Sequence, residues 1–126
     1  MSGVLDGKRV LLVEDEALVA LTVRDMLFAM GAKSVEVATN AAEGVAAACE
    51  RRFDAAVLDV NLEGETSDDV AHELETRGVP VVYATGYGRS AVHTAAGPVI
   101  GKPYTEETLA SALAKAAART PSGASQ

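Results

Sequence analysis

The sequence predicts an α/β protein, with a five-stranded parallel sheet covered by helices on both faces. Three observations predict it. Short apolar runs alternate with helix-period stretches five times along the chain, the pattern of consecutive βα units. The run Ala55-Ala56-Val57-Leu58 is continuously apolar, as a strand buried on both faces must be. The runs end in polar or charged residues, and in open α/β sheets the carboxyl ends of the strands are where ligands bind.

Composition narrows the class. A chain of 126 residues fits one domain, and 48% apolar with 23% charged residues is ordinary for a globular protein. The formal net charge of −7 argues against a nucleic-acid or anionic-membrane surface, and it suits a carboxylate cluster that wants a cation. The single cysteine, Cys49, precludes an intramolecular disulfide and is expected as a small core residue. A reducing, cytoplasmic setting follows as the simple expectation. Met1 to Gly7 lacks a signal-peptide core, and no apolar run has membrane-spanning length.

The elements follow in order. Lys8 to Val13 reads as the first strand, ending in Glu14-Asp15-Glu16. Ala17 to Met30 reads as a helix with Val19, Val23, Met26, Leu27 and Met30 on one face and Gly31 as its stop. Leu18 and Leu21 fall off that stripe, so they are either part of a deeply buried helix or an exposed apolar patch. Ser34 to Ala38 is a short strand. Asn40 and Glu43 have capping-box spacing and open a helix to about Arg51, with Ala41, Val45, Ala48 and Cys49 on one side. After the strand to Asp59 comes a loop over Leu62 to Thr66. Ser67 is placed to cap a helix whose first turn holds Asp68 and Asp69 and which ends at Arg77-Gly78. Val79 to Ala84 is a fourth strand, followed by Thr85-Gly86-Tyr87-Gly88 and a weak helix from Arg89 to Ala96. Pro98 to Gly101 is a fifth strand, ending at Lys102-Pro103. The last helix runs from Thr105 to Arg119 with Leu109, Ala112, Leu113 and Ala116 inward. Residues 120–126 read as a flexible tail, so the domain is expected over residues 1–119.

A parallel sheet brings Glu14, Asp15, Asp59, Thr85 and Lys102 to one rim. Clustered carboxylates repel unless a hard cation sits among them, and Mg²⁺ takes oxygen ligands. A lysine and a hydroxyl beside that cation suit a small oxyanion such as phosphoryl, and a carboxylate can attack phosphorus. His72 and His93 have no metal spacing and read as surface residues.

These four strand ends resemble the receiver domain of two-component response regulators: Glu14-Asp15, Asp59, Thr85 and Lys102-Pro103, across about Arg9 to Arg119. The resemblance implies a flavodoxin-like sheet of order 2-1-3-4-5. It implies Asp59 as phosphoacceptor from a histidine kinase or histidine phosphotransfer protein. It implies Mg²⁺ held by Asp15, Asp59, the Asn61 backbone carbonyl, and Glu14 through water. Thr85 and Lys102 then meet the phosphoryl group, the Lys102–Pro103 bond being commonly cis in such proteins. Tyr83 to Gly88 resembles the FAT GUY subgroup, with Tyr83 where Phe is usual, and that subgroup pairs with kinases of the HWE or a related type. Most receivers carry an aromatic switch residue three positions before the lysine. Val99 stands there, so the Gly86-Tyr87-Gly88 loop is the substitute candidate, and phosphorylation is expected to order the segment from Thr85 to Gly97.

Two rival chemistries fit the residues worse. An aspartyl-phosphate phosphatase wants a second Asp two residues after its nucleophile, where this chain has Asn61. A flavin carrier wants a hydroxyl-rich phosphate loop after the first strand, where Glu14-Asp15-Glu16 would repel phosphate. The expectation is a stand-alone receiver without a DNA-binding output. The alternative is a receiver module from a larger regulator or hybrid kinase.

Overall fold

The computed structural model describes residues 3–62, 65–86 and 97–119. The elements are β1 (Arg9–Val13), α1 (Ala17–Ala29), β2 (Ser34–Ala38), α2 (Ala41–Glu50), β3 (Ala55–Asp59), β4 (Asn61–Leu62), β5 (Glu65–Thr66), α3 (Asp68–Thr76), β6 (Val81–Thr85), β7 (Val99–Gly101) and α4 (Glu106–Arg119). Five strands pair in parallel in the order β2-β1-β3-β6-β7, the expected flavodoxin-like order of the five main strands. The expected helix over Arg89 to Ala96, Tyr87, Gly88, His93 and the tail lie outside the described residues.

Side-chain alternation along the strands builds two cores, one on each face of the sheet. Val10, Leu12, Val57 and Val82 join Val23 and Leu27 of α1 and Leu109 and Leu113 of α4. Leu11, Val13, Leu58 and Tyr83 join Ala47 and Ala48 of α2 and Val70 and Leu74 of α3. Every residue of β3 is buried, because this strand lies at the centre with helices over both faces.

Local signals act largely as expected. Gly31 takes φ +101°, a conformation that suits glycine, directly after the C-cap Met30 of α1. Asn40 Oδ1 accepts from Glu43 N at 2.8 Å, and Glu43 Oε1 returns to Thr39 N at 2.8 Å, one residue before the box's usual partner. Thr105 Oγ1 accepts from Thr108 N at 3.0 Å at the start of α4.

Four expectations need correction or refinement. Cys49 is exposed, not a core residue, because α2 turns Gly44, Ala47 and Ala48 inward and position 49 falls outside that arc. Ser67 is buried at the N-cap position of α3 but makes no side-chain capping bond. The Leu62 to Thr66 loop contains a small antiparallel ladder, Asn61 opposite Thr66 and Leu62 opposite Glu65. Tyr83, singled out for its resemblance to the FAT GUY motif, packs in the core, and its hydroxyl also donates to the Glu75 carboxylate of α3. Of the two options for α1, exposure is the one adopted. Leu18 is 80% and Leu21 46% exposed.

Gly97 and Pro98 lie tight against β6, whose Tyr83 N donates to the Pro98 carbonyl at 2.9 Å. A Cβ at residue 97 would sit 2.1 Å from the Val81 carbonyl oxygen, a backbone atom that cannot swing aside. Gly97→Ala is therefore expected to destabilise the fold by about 2 kcal/mol, as overpacking does. Urea unfolding checks it: a lower midpoint at unchanged slope is expected, and an unchanged midpoint would contradict this packing.

Candidate functional site

Each site residue stands where a strand's hydrogen-bond ladder ends. Glu14 follows β1, and its N–H still donates to the Ala38 carbonyl of β2 at 3.0 Å. Asp59 closes β3, and the next N–H, that of Val60, donates to the Ala84 carbonyl at 2.9 Å. Thr85 closes β6 one residue past the pairing partner of Asp59, and its carbonyl accepts from Lys102 N at 2.9 Å. Lys102 follows β7 and precedes a cis bond to Pro103, as the resemblance implied. Strands packed on both sides thus hold five side chains from distant parts of the sequence on one rim.

The geometry converges there. Ligand atoms of Glu14, Asp15 and Asp59 all lie within 4.8 Å of one another. Glu14, Asp59 and Thr85 are almost fully buried, at 2%, 4% and 1% exposure, while Asp15 is half-buried. Lys102 Nζ lies 3.1 Å from Glu14 Oε1 and 3.3 Å from Asp59 Oδ2. Glu14 Oε2 also accepts from Glu16 N at 3.2 Å, which turns the carboxylate toward the start of α1. Asn61 begins β4 two residues past Asp59, so its backbone is carried at the same end of the sheet.

The electrostatics follow from that crowding. Burial, and then the neighbouring Asp59 charge, push the Glu14 carboxyl up to about 7, against its bonds from Lys102 and Glu16 N. Burial alone would lower the Lys102 ammonium's pKa, but its bonds to Glu14 and Asp59 outweigh that and raise it. A half-buried cation thus bridges two buried anions, with a third carboxylate beside them. Oxygen donors of this charge and spacing fit a hard divalent ion, and among the described residues no other such group forms.

Sequence reasoning missed Tyr104. Its ring is half-buried against the core beneath α1 and α4. Burial, and then the charges of Glu14 and Asp59, raise the pKa of its hydroxyl, so the phenol lies within the field of the site. The available signal was an aromatic residue directly after Lys102-Pro103.

Glu14 gives this site a testable pH signature in the absence of metal. In the unfolded chain Glu14 ionises near 4.5, and in the fold at about 7. Its stabilising contribution is thus complete below pH 4.5 and is lost as pH rises through 7. In a chelating buffer at pH 8, Glu14→Gln is expected to raise stability by an amount on the order of 2–3 kcal/mol, and the gain is expected to vanish at low pH. Denaturant titrations across pH check this, and a variant less stable than wild type at pH 8 would contradict it.

Comparisons with known proteins agree with this arrangement. The response regulator receiver domain family matches residues 10–114. The solution structure of SdrG from Sphingomonas melonis Fr1 is 37% identical with a TM-score of 0.74, covering 92% of this chain and 98% of that one. The N-terminal domain of a response regulator/sensory box/GGDEF 3-domain protein from Carboxydothermus hydrogenoformans is 26% identical, with a TM-score of 0.77 and coverage of 88% and 94%. The receiver domain of sensor histidine kinase PA1611 from Pseudomonas aeruginosa PAO1, which has a magnesium ion coordinated in its active-site cleft, shares the fold at 22% identity and a TM-score of 0.76, with coverage of 85% and 94%. No curated protein is matched. The sheet order, the acidic rim with its lysine and the family match have one meaning: the chain belongs to the response regulator receiver domain family of two-component signalling.

Proposed function

We propose that Asp59 is the phosphoacceptor of this receiver. The observation that carries the reading is the buried Asp59 carboxylate at the end of β3, 3.3 Å from Lys102 Nζ and beside Glu14 and Asp15. An Asp59 oxygen attacks the phosphorus of a phosphohistidine on a histidine kinase or phosphotransfer protein. The P–N bond breaks, the imidazole leaves, and an acyl phosphate remains on Asp59. Lys102 then turns from carboxylate to phosphoryl oxygen, and the Thr85 hydroxyl donates to another. Water later cleaves the acyl phosphate, returning the carboxylate and inorganic phosphate.

Asp15 and Asp59 are the proposed direct ligands of Mg²⁺, with the Asn61 carbonyl as a third and Glu14 acting through water. Bound there, the ion would neutralise charge on the phosphoryl oxygens. Two charge-assisted hydrogen bonds to the phosphoryl group supply most of the roughly 5 kcal/mol needed to invert a two-state population.

The exposed pair Leu18 and Leu21 lies on α1, which starts at the acidic rim, and is proposed to dock the helices that carry the partner's histidine. A kinase of the HWE type is the proposed source. Coverage of 98% of the SdrG chain supports a self-standing receiver. The match to one domain of a 3-domain protein supports the second reading, a module of a larger regulator.

Incubation with a small phosphodonor and Mg²⁺, read by intact mass, is expected to add one phosphoryl group, lost in Asp59→Asn. Persistence of the adduct in Asp59→Asn would overturn the assignment. Leu18→Ala is expected to slow transfer from a phosphorylated phosphotransfer domain several-fold, while the small donor works at the wild-type rate. Equal rates from the protein donor would end the docking assignment.

A further inference from the structure

The pole opposite the acidic rim carries a second charged feature. β1 and β2 begin there, α2 ends there, and a groove of ≈ 720 Å³ lies between them. Arg9, Lys33, Arg51 and Arg52 line it, together with Glu36 and Glu50. Four cations against two carboxylates make a basic site in a chain whose net charge is −7. Glu36 is already engaged, 3.1 Å from Arg51 Nε. The side chains of Arg9, Lys33 and Arg52 form no ion pair among the described residues, and all three are exposed. Cations near the end of α2 also complement the helix dipole, but that effect reaches only the last turn. It does not account for Arg9 and Lys33, which come from the sheet side.

The groove borders a free backbone edge as well. Among the described residues β2 pairs only with β1, and Ser34, Val35 and Glu36 of β2 contribute to the lining. An extended chain laid along that edge finds unpaired N–H and C=O groups, the geometry of strand addition. Its acidic side chains would meet Lys33, Arg9 and Arg52. We infer that this groove binds an extended acidic segment of a partner protein. A strand of five residues puts it about 15 Å from the acidic rim, at a rise of roughly 3.3 Å per residue, so both ends can be engaged at once. The inference does not depend on the roles given to Asp59 or Lys102.

The test is a titration of the ¹⁵N-labelled chain with a capped peptide of alternating Glu and Thr, at low and high salt. Saturable amide shifts are expected over Lys33–Val37 and Arg51–Phe53, weakening as salt rises. The Arg9→Glu/Arg52→Glu variant is expected to bind roughly tenfold more weakly or worse. Arg9→Gln/Arg52→Gln gives the same reading without charge reversal, and dispersed spectra show that either variant is folded. No saturable shift, shifts that survive both variants, or equal shifts from inorganic phosphate at the same concentration would each overturn the inference.

Discussion

The contact on which the rest of the molecule depends is the Lys102 ammonium between Glu14 and Asp59. Two nearly buried carboxylates at one sheet edge repel each other and lose hydration, and either alone costs several kcal/mol unless a cation compensates. Among the described residues Lys102 is the only cation in contact with both, and it comes from the far side of the sequence. The register of β7 against β6 brings it there: Gly101 pairs with Thr85, so Lys102 emerges beside the end of β6 and its side chain reaches across to Asp59 at the end of β3. A slip of one residue in that pairing would turn the ammonium away and leave the two acids uncompensated. The fold and the site therefore constrain each other through a short edge strand.

The same contact explains why the site is poised. Lys102 is bonded to two carboxylates, and each bond competes with any oxyanion that arrives. The pKa of Glu14 lies far above that of an ordinary carboxyl, so the site stores unfavourable charge. A divalent ion or a rearranged lysine relieves it.

Most of this was legible in the sequence because buried strands announce themselves. The run Ala55 to Leu58 is apolar throughout, and a parallel sheet leaves little freedom about where the residue after it goes. Glu14, Asp15, Asp59 and Lys102 were located by that logic alone. The misses have physical reasons. Cys49 follows inward-facing Ala48, and one residue turns a helix by about 100°, enough to move a small side chain into solvent. Ser67 stands where a cap belongs, but burial and backbone shape, which composition does not encode, keep its hydroxyl from that role. The β4–β5 ladder is only two residues long on each side, below any periodic signal. Tyr104 is apolar enough to read as core, and its place in the electrostatic field of the site is a three-dimensional fact.

The charge of the molecule is also arranged along its length, with acids at the carboxyl ends of the strands and a cluster of arginines and a lysine at the other pole. Net charge describes neither end. What the acidic end does turns on whether its carboxylates share one ion, and anomalous diffraction from a crystal soaked in Mn²⁺ measures that most directly. The account predicts a single rim peak in contact with the Asp15 and Asp59 carboxylates and the Asn61 carbonyl. A peak on another face, or no peak while Lys102 stays bonded to Glu14 and Asp59, would contradict it.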